Sequence, residues 1–283
     1  MSQETKKIEV RINRNDDPER KLKAELGRLS EDESEEALEL AAYAVSCGGI
    51  NQVDKIAKAL VRLSKSHWRL EVCFGRNGLE SVPESVWELA NLEELLILFN
   101  QLETISPAIA KLIRLRRLRI GWNPFEGFPE AVCKLEQLEV LFVDGCRLSV
   151  LPSSFASLRN LLELNLGDNV FEQFPEVICE LKTLRKLWLN GNKLSSLPQS
   201  FANLRELRAL GISFNGFKEF PQVLCELPHL ERLYMEEDQL SELPLAITKL
   251  VRLKFLNLSV NSFTSFPLFV GDLPQLSEFS SSG

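Results

Sequence analysis

Leucines and asparagines recur along the chain on a spacing that sets its structure before any other feature does. Between residues 69 and 279, apolar residues come in pairs one position apart, as in Leu164 with Leu166 and Leu187 with Leu189, and an asparagine follows three residues later. Asn77, Asn100, Asn123, Asn169, Asn192, Asn215 and Asn261 lie on one lattice with a step of 23, and its two remaining nodes hold Cys146 and Asp238. Six residues after the node stands Pro83, Pro129, Pro152, Pro175, Pro198, Pro221, Pro244 or Pro267, with Ser106 the one exception. A period of this length marks a repeat architecture: no single repeat can bury its own apolar face, so stacking on neighbours supplies the core and the ends need covers. The pairing predicts one short strand per repeat, with both leucines pointing inward. The node asparagine is expected to hydrogen-bond backbone groups of the turn that follows, and the proline, which lacks an N–H, to end the strand region. The return segment, as at 152–161, should bring Phe155 and Leu158 inward, and successive strands should lie parallel in one sheet.

A second order overlays the first. Two residues after the node the sequence alternates Phe125, Leu148, Phe171, Leu194, Phe217, Leu240 and Phe263, and five after it Phe128, Leu151, Phe174, Leu197, Phe220, Leu243 and Phe266. Cys133, Cys179 and Cys225 keep the same step of 46, with Ala156, Ala202 and Thr248 in the intervening repeats. Buried thiols acting as small apolar groups account for this column, in a large-small alternation that keeps the turns evenly stacked.

The ends differ from the middle. Residues 1–66 lack the lattice and read as mostly helical. Ser30 to Glu33 forms a capping box ahead of a helix through Ala37, Leu38, Leu40, Ala41, Ala44 and Val45, stopped at Gly48-Gly49. Asn51 starts another helix with Val53, Ile56, Ala57, Leu60 and Leu63 on one face. A third begins at Pro18 after Asp17, preceded by a strand at Ile8, Val10 and Ile12. The expected organisation is a helical cap or docking segment at 1–66 and a repeat coil at 67–283. At the far end Leu276 and Phe279 fall on the lattice of a tenth strand, with no capping helix after it.

From residue 69 to residue 279 the chain resembles leucine-rich repeat proteins of the 23-residue intracellular class. Its wording is similar to that of Ras-scaffold, Ras-suppressor, Scribble/Erbin-type and plant Ras-group-related proteins. It departs from that wording at Arg69, in place of the first leucine, and at Ser106. The resemblance implies an α/β solenoid, a curved coil of nine to ten repeats. It also implies a scaffold whose partners are small GTPases, protein phosphatases or other signalling enzymes.

Charge and chemistry narrow the function. With 33 basic and 40 acidic residues the formal charge is −7, which lacks the basic field that nucleic acid or an anionic membrane surface needs. No apolar stretch near the start could act as a signal peptide or membrane span, so a cytoplasmic, non-inserted protein, monomeric on its own, is expected. Six cysteines with no CxxC pair fit reduced thiols, and the sequon at Asn257 falls within an expected strand. Only His67 and His229 are present, many repeats apart, and there is no phosphate-binding glycine loop, no HExxH and no zinc-type cluster. Cys146 fits a structural role in the turn, and Glu236, Glu237 and Asp238 read as a solvated turn. No enzyme activity, cofactor or metal is expected.

Binding is another matter. Strand positions −7, −6, −4, −2 and −1 from each node point away from the core. There the sequence places Phe99, Trp122, Phe142, Trp188, Phe214 and Tyr234, with Arg116, Arg117 and Arg119, although core packing asks for none of them. Aromatics with arginine are the composition of interface anchors. Trp188 and Tyr234 flank Gly211 two strands apart, roughly 9 to 10 Å at the usual strand spacing, which predicts a slot for a partner side chain with Phe214 at its rim. Phe99, Trp122, Arg119 and Phe142 form a second expected patch. Charges alternate by repeat, Glu93 and Glu94 against Arg116 and Arg117 and then Glu139, later Arg185, Lys186 and Arg208 against Glu231, which predicts ion pairs between neighbouring strands. The expected function is a non-enzymatic intracellular scaffold that grips a folded signalling protein on an exposed concave sheet. The alternatives are the recognition subunit of a ubiquitin ligase or phosphatase complex, and a pathogen effector built on the same coil.

Overall fold

A computed structural model describes residues 6–13, 15–26, 38–44, 49–63, 69–265 and 268–281. The expected features at Ser30, Ala37, Val45, Cys47, Gly48, His67, Phe266 and Pro267 lie outside the described residues. The chain divides into two compact units, Met1–Val140 and Leu141–Gly283.

The first unit contains β1 (Lys6–Ile12), α1 (Pro18–Leu26), β2 (Leu38–Ala44), α2 (Gly49–Leu63), β3 (Arg69–Cys73), β4 (Leu92–Leu96) and β5 (Arg117–Arg119). Each strand pairs in parallel with the next. The strand at Ile8–Ile12 and the helix at Pro18 form as expected, with Asp17 Oδ1 accepting the Arg20 N–H at 3.0 Å, while the helix expected to start at Asn51 already begins at Gly49. Val53, Ile56, Ala57 and Leu60 of α2 are buried. The expected helix through Leu38–Ala44 is instead β2, hydrogen-bonded between β1 and β3. Residues that a helix would hold by local bonds alone gain a ladder on both edges here, and Leu40, Ala41 and Ala42 are all buried. The described part of residues 1–66 therefore consists of two larger strand–helix turns of the same coil rather than a purely helical cap. Register makes the continuity explicit: Ile8 pairs with Leu40, Leu40 with Leu70, and then Leu95 with Leu118 in the regular repeat.

The second unit carries β7 (Glu163–Asn165), β8 (Lys186–Trp188), β9 (Ala209–Gly211), β10 (Arg232–Tyr234), β11 (Phe255–Asn257) and β12 (Glu278–Ser280), and β6 (Val140–Phe142) lies at the division. From β7 onward each strand pairs in parallel with the next, and β12 is the tenth strand expected from Leu276 and Phe279. Opposite each strand runs one turn of 3-10 helix, such as Ser153–Ser157, with Phe155 and Leu158 fully buried. The proline does not end the strand, which stops several residues earlier; it opens this helix, its carbonyl accepting the N–H three residues on (Phe155 to Pro152, 3.0 Å). Ser106 substitutes chemically, its hydroxyl capping Ala108 N–H at 3.2 Å.

The node asparagines reach backward rather than forward. Asn169 Nδ2 donates to the carbonyls of Leu166 and Gly167 in its own repeat and of Val143 in the one before, while its Oδ1 accepts from Cys146 and Leu148 N–H. Asn100 and Asn192 make equivalent bonds, so each buried amide ties two successive turns together.

The 46-residue alternation is a packing device. Phe171 shares its repeat with the smaller Ile178 and Cys179, whereas Leu194 shares its repeat with Phe201, and all five are buried. Phe174 meets Phe201 edge to face at 5.2 Å. Burial pushes the Cys179 thiol up and that of Cys225 to about 11, so both pack as apolar groups.

Candidate functional site

The strands end in a turn that fixes where exposed side chains stand. Every −1 residue has a left-handed backbone: Arg76, Phe99 and Trp122 in the first unit, Gly145, Asp168, Gly191, Phe214, Glu237 and Val260 in the second. Such a conformation costs a non-glycine residue roughly 1–2 kcal/mol. Gly145 and Gly191 make the same turn with no side chain, so folding does not require rings at this position.

In the first unit Phe99 and Trp122 stack at 5.5 Å with an interplanar angle of 11°, and remain 43% and 44% exposed. The Arg76 guanidinium lies over the Phe99 ring at 4.9 Å, a contact absent from the sequence expectation although Arg76 occupies the same column. Arg119, at the end of β5, is half-buried and engages Glu94 at 3.8 Å. Phe142, expected beside these residues, is half-buried at the end of β6 and belongs to the second unit.

In the second unit the expected slot is filled. Trp188 and Tyr234 lean across Gly211 until their ring centroids are 5.7 Å apart, and Tyr234 continues onto Phe255 at 4.6 Å. A Cβ on Gly211 would lie 2.7 Å from Trp188 Cε3, so the glycine makes room for the ring of its own neighbour, not for a partner. The Trp188 indole donates to Glu163 Oε1 at 3.3 Å. What remains is a closed, half-buried aromatic cluster with Phe214 exposed (49%) in the same unit. Phe255 was legible: it is the one aromatic in an otherwise charged or aliphatic −6 column of Glu71, Glu94, Arg117, Val140, Glu163, Lys186, Ala209 and Arg232.

The alternating charges form a ladder. In the first unit Arg117 bridges Glu94 at 2.9 Å and Glu71 at 3.3 Å, Arg116 meets Glu139, and Arg69 meets Glu93 at 3.6 Å. All of these except Glu94 line a polar hollow of about 320 Å³. In the second, Lys186 pairs with Glu163 at 3.0 Å, and Glu231 with Arg208 at 3.4 Å and Lys254 at 3.0 Å. The Lys254 ammonium holds the Glu231 carboxyl below the usual range. Exposed pairs of this kind contribute at most about 1 kcal/mol each, so the ladder sets charge pattern more than stability.

A cavity of about 840 Å³ lies away from the strands, among Val150, Val170, Phe174, Val177 and Lys193 on the loops that lead to the 3-10 turns. Nothing in the sequence pattern pointed there. Among the described residues no group of three histidine, cysteine or acidic side chains is arranged to hold a metal, and no helix is long and apolar enough to cross a membrane.

A family model described as a leucine-rich repeat region matches residues 100–219. No curated protein matches the chain. Among solved structures, the chain is similar to the plant peptide hormone receptor RGFR1, solved in complex with RGF2 (TM-score 0.58, 22% identity, 87% of this chain and 49% of that one). A TDR receptor gives a TM-score of 0.64 at 25% identity over 88% of this chain and 48% of the receptor. A leucine-rich repeat protein of Leptospira interrogans gives 0.50 at 21% identity over 89% and 80%. This chain spans about half the length of the two receptor chains. The fold is a leucine-rich repeat coil of the α/β class, and the more specific likeness to Ras-scaffold or Scribble-type proteins has no counterpart among these matches.

Proposed function

We propose that the chain is a protein-interaction module that binds a folded partner on the exposed face of its strands. The observation that carries this reading is the set of rings standing on strained turn positions where glycine suffices: Phe99, Trp122 and Phe214 are 43%, 44% and 49% exposed. Fold-level likeness to a receptor solved with its peptide ligand supports a protein or peptide as the bound species. The finer reading is a non-enzymatic scaffold in the cytoplasm, serving a signalling protein such as a small GTPase or a phosphatase, as the sequence resemblance implies. The thiols of Cys73, Cys179 and Cys225, unbridged among the described residues, favour a reducing compartment.

Affinity purification tests the reading. The wild-type chain is compared with a variant carrying Phe99→Ala, Trp122→Ala, Trp188→Ala and Tyr234→Ala, matched for folding by circular dichroism. A discrete partner retained by the first and depleted at least tenfold from the second is expected. Equal recovery from both contradicts it.

A further inference from the structure

In the stack of Arg76, Phe99 and Trp122 a guanidinium lies against an aromatic ring rather than against a carboxylate. On the strands of this unit Arg69, Arg116, Arg117 and Arg119 are each paired with a glutamate. Arg76 is exposed and its guanidinium has no carboxylate partner among the described residues; it lies instead over the ring of Phe99. At the other end the exposed Trp122 indole N–H likewise meets no acceptor among the described residues. The result is an apolar shelf, 5.5 Å from ring to ring, with a hydrogen-bond donor at each end and a full positive charge at one. Its complement must bring acceptors and negative charge together with an apolar group. The shelf crosses three strands, about 10 Å, which an extended chain covers in about three residues.

We propose that this stack is the anchor for an extended partner segment bearing a carboxylate for Arg76 and, about three residues along, an aromatic or long aliphatic side chain for Trp122. The proposal rests on the protein-binding reading above and names the chemistry of the partner. An acidic segment also suits a guanidinium resting over Phe99: the contact restrains it, so less rotamer freedom is lost when the carboxylate arrives. A basic segment would place like charges together at the same spot and is rejected there.

Two blocked peptides, acetyl-Glu-Ala-Ala-Phe-amide and acetyl-Lys-Ala-Ala-Phe-amide, are titrated into the full chain while the tryptophan indole N–H resonances are followed by NMR. Trp122 and Trp188 are assigned through Trp122→Phe and Trp188→Phe. The glutamate peptide is expected to shift the Trp122 resonance saturably, at least fivefold more tightly than the lysine peptide. Arg76→Gln is expected to erase that preference, and Phe99→Ala to weaken both peptides at least threefold. Equal affinity for the two peptides, or a Trp122 resonance unmoved by either, overturns the proposal. A shift confined to Trp188 overturns this anchor while leaving protein binding elsewhere on the face intact, and depletion in the affinity purification judges that broader reading independently.

Discussion

At Asp238 a single functional group separates a buried carboxyl from the amide that most repeats place at the node. Oδ1 does what an asparagine oxygen does, accepting from Asn215 and Phe217 N–H at 3.2 Å each. Oδ2 occupies the place of the amide nitrogen, which in Asn215 donates to three carbonyls, and it is buried without a partner among the described residues. Burial pushes this carboxyl up to about 7, against the pull of the Phe217 and Asn215 N–H donors. A folded-state value above the ordinary 3.8 means that the folded chain binds the proton more tightly than the unfolded one. The associated stability is fully present below about pH 4 and is lost as pH rises through about 7. Asp238→Asn should remove this dependence and, by restoring the missing donor, raise stability at pH 8 by about 1–3 kcal/mol. Urea unfolding of both proteins at pH 5 and pH 8 checks it, with the gap between them wider at pH 8; a gap independent of pH contradicts the assignment. The node itself was legible from sequence, since Asp238 sits on the 23-residue lattice. That its second oxygen is orphaned was not, because the direction of each amide, back toward the preceding repeat, emerges only from the stacked backbone.

Elements were legible where pattern and packing agree. The ten strands from β3 to β12 follow from leucine pairs that must be buried, and a one-residue slip would turn every leucine to solvent. β2 escaped because alanine fills the positions that isoleucine and valine hold next door: Ala42 pairs with Val10 and Val72, and Ala44 with Ile12. Alanine favours helix when judged alone, and a ladder on both edges overrides that preference. The step between strands is also longer here, because each of these turns returns through an α-helix, and a search at a step of 23 passes over it. The same limit applied to the slot at Gly211. Strand spacing places the Cα atoms of Trp188 and Tyr234 correctly, but ring rotamers decide whether the gap stays open, and here they close it. Gly211→Ala should therefore strain β9 and lift the Trp188 ring away from Tyr234. The expected outcome is a loss of roughly 1–3 kcal/mol in stability with reduced near-ultraviolet dichroism. A variant with unchanged dichroism and stability would show that the two rings do not rest over the glycine.

For the molecule as a whole, stability draws on one side of the strands and the proposed binding on the other. Leu187, Leu210 and Leu233 are wholly buried and pair in register from β8 to β10, while their neighbours Lys186, Arg232 and Tyr234 face away. Period-two alternation separates the two sets by one residue, so the exposed face can vary without disturbing the stack. The sequence columns therefore revealed which residues lie on the side opposite the leucines. They could not reveal which displayed residues touch: Arg76 on Phe99, Phe255 on Tyr234 and Glu163 on Trp188 all depend on side-chain reach across strands. Site-specific photo-crosslinking tests display most directly. A photoreactive phenylalanine replaces Phe99, Phe142 or Phe214 on the strand face, or Leu245 or Val251 on the outer turns, and adducts are formed with the partner recovered by affinity purification. Adducts from the three strand-face positions and none from the two outer ones are expected; adducts from the outer positions alone would contradict the account.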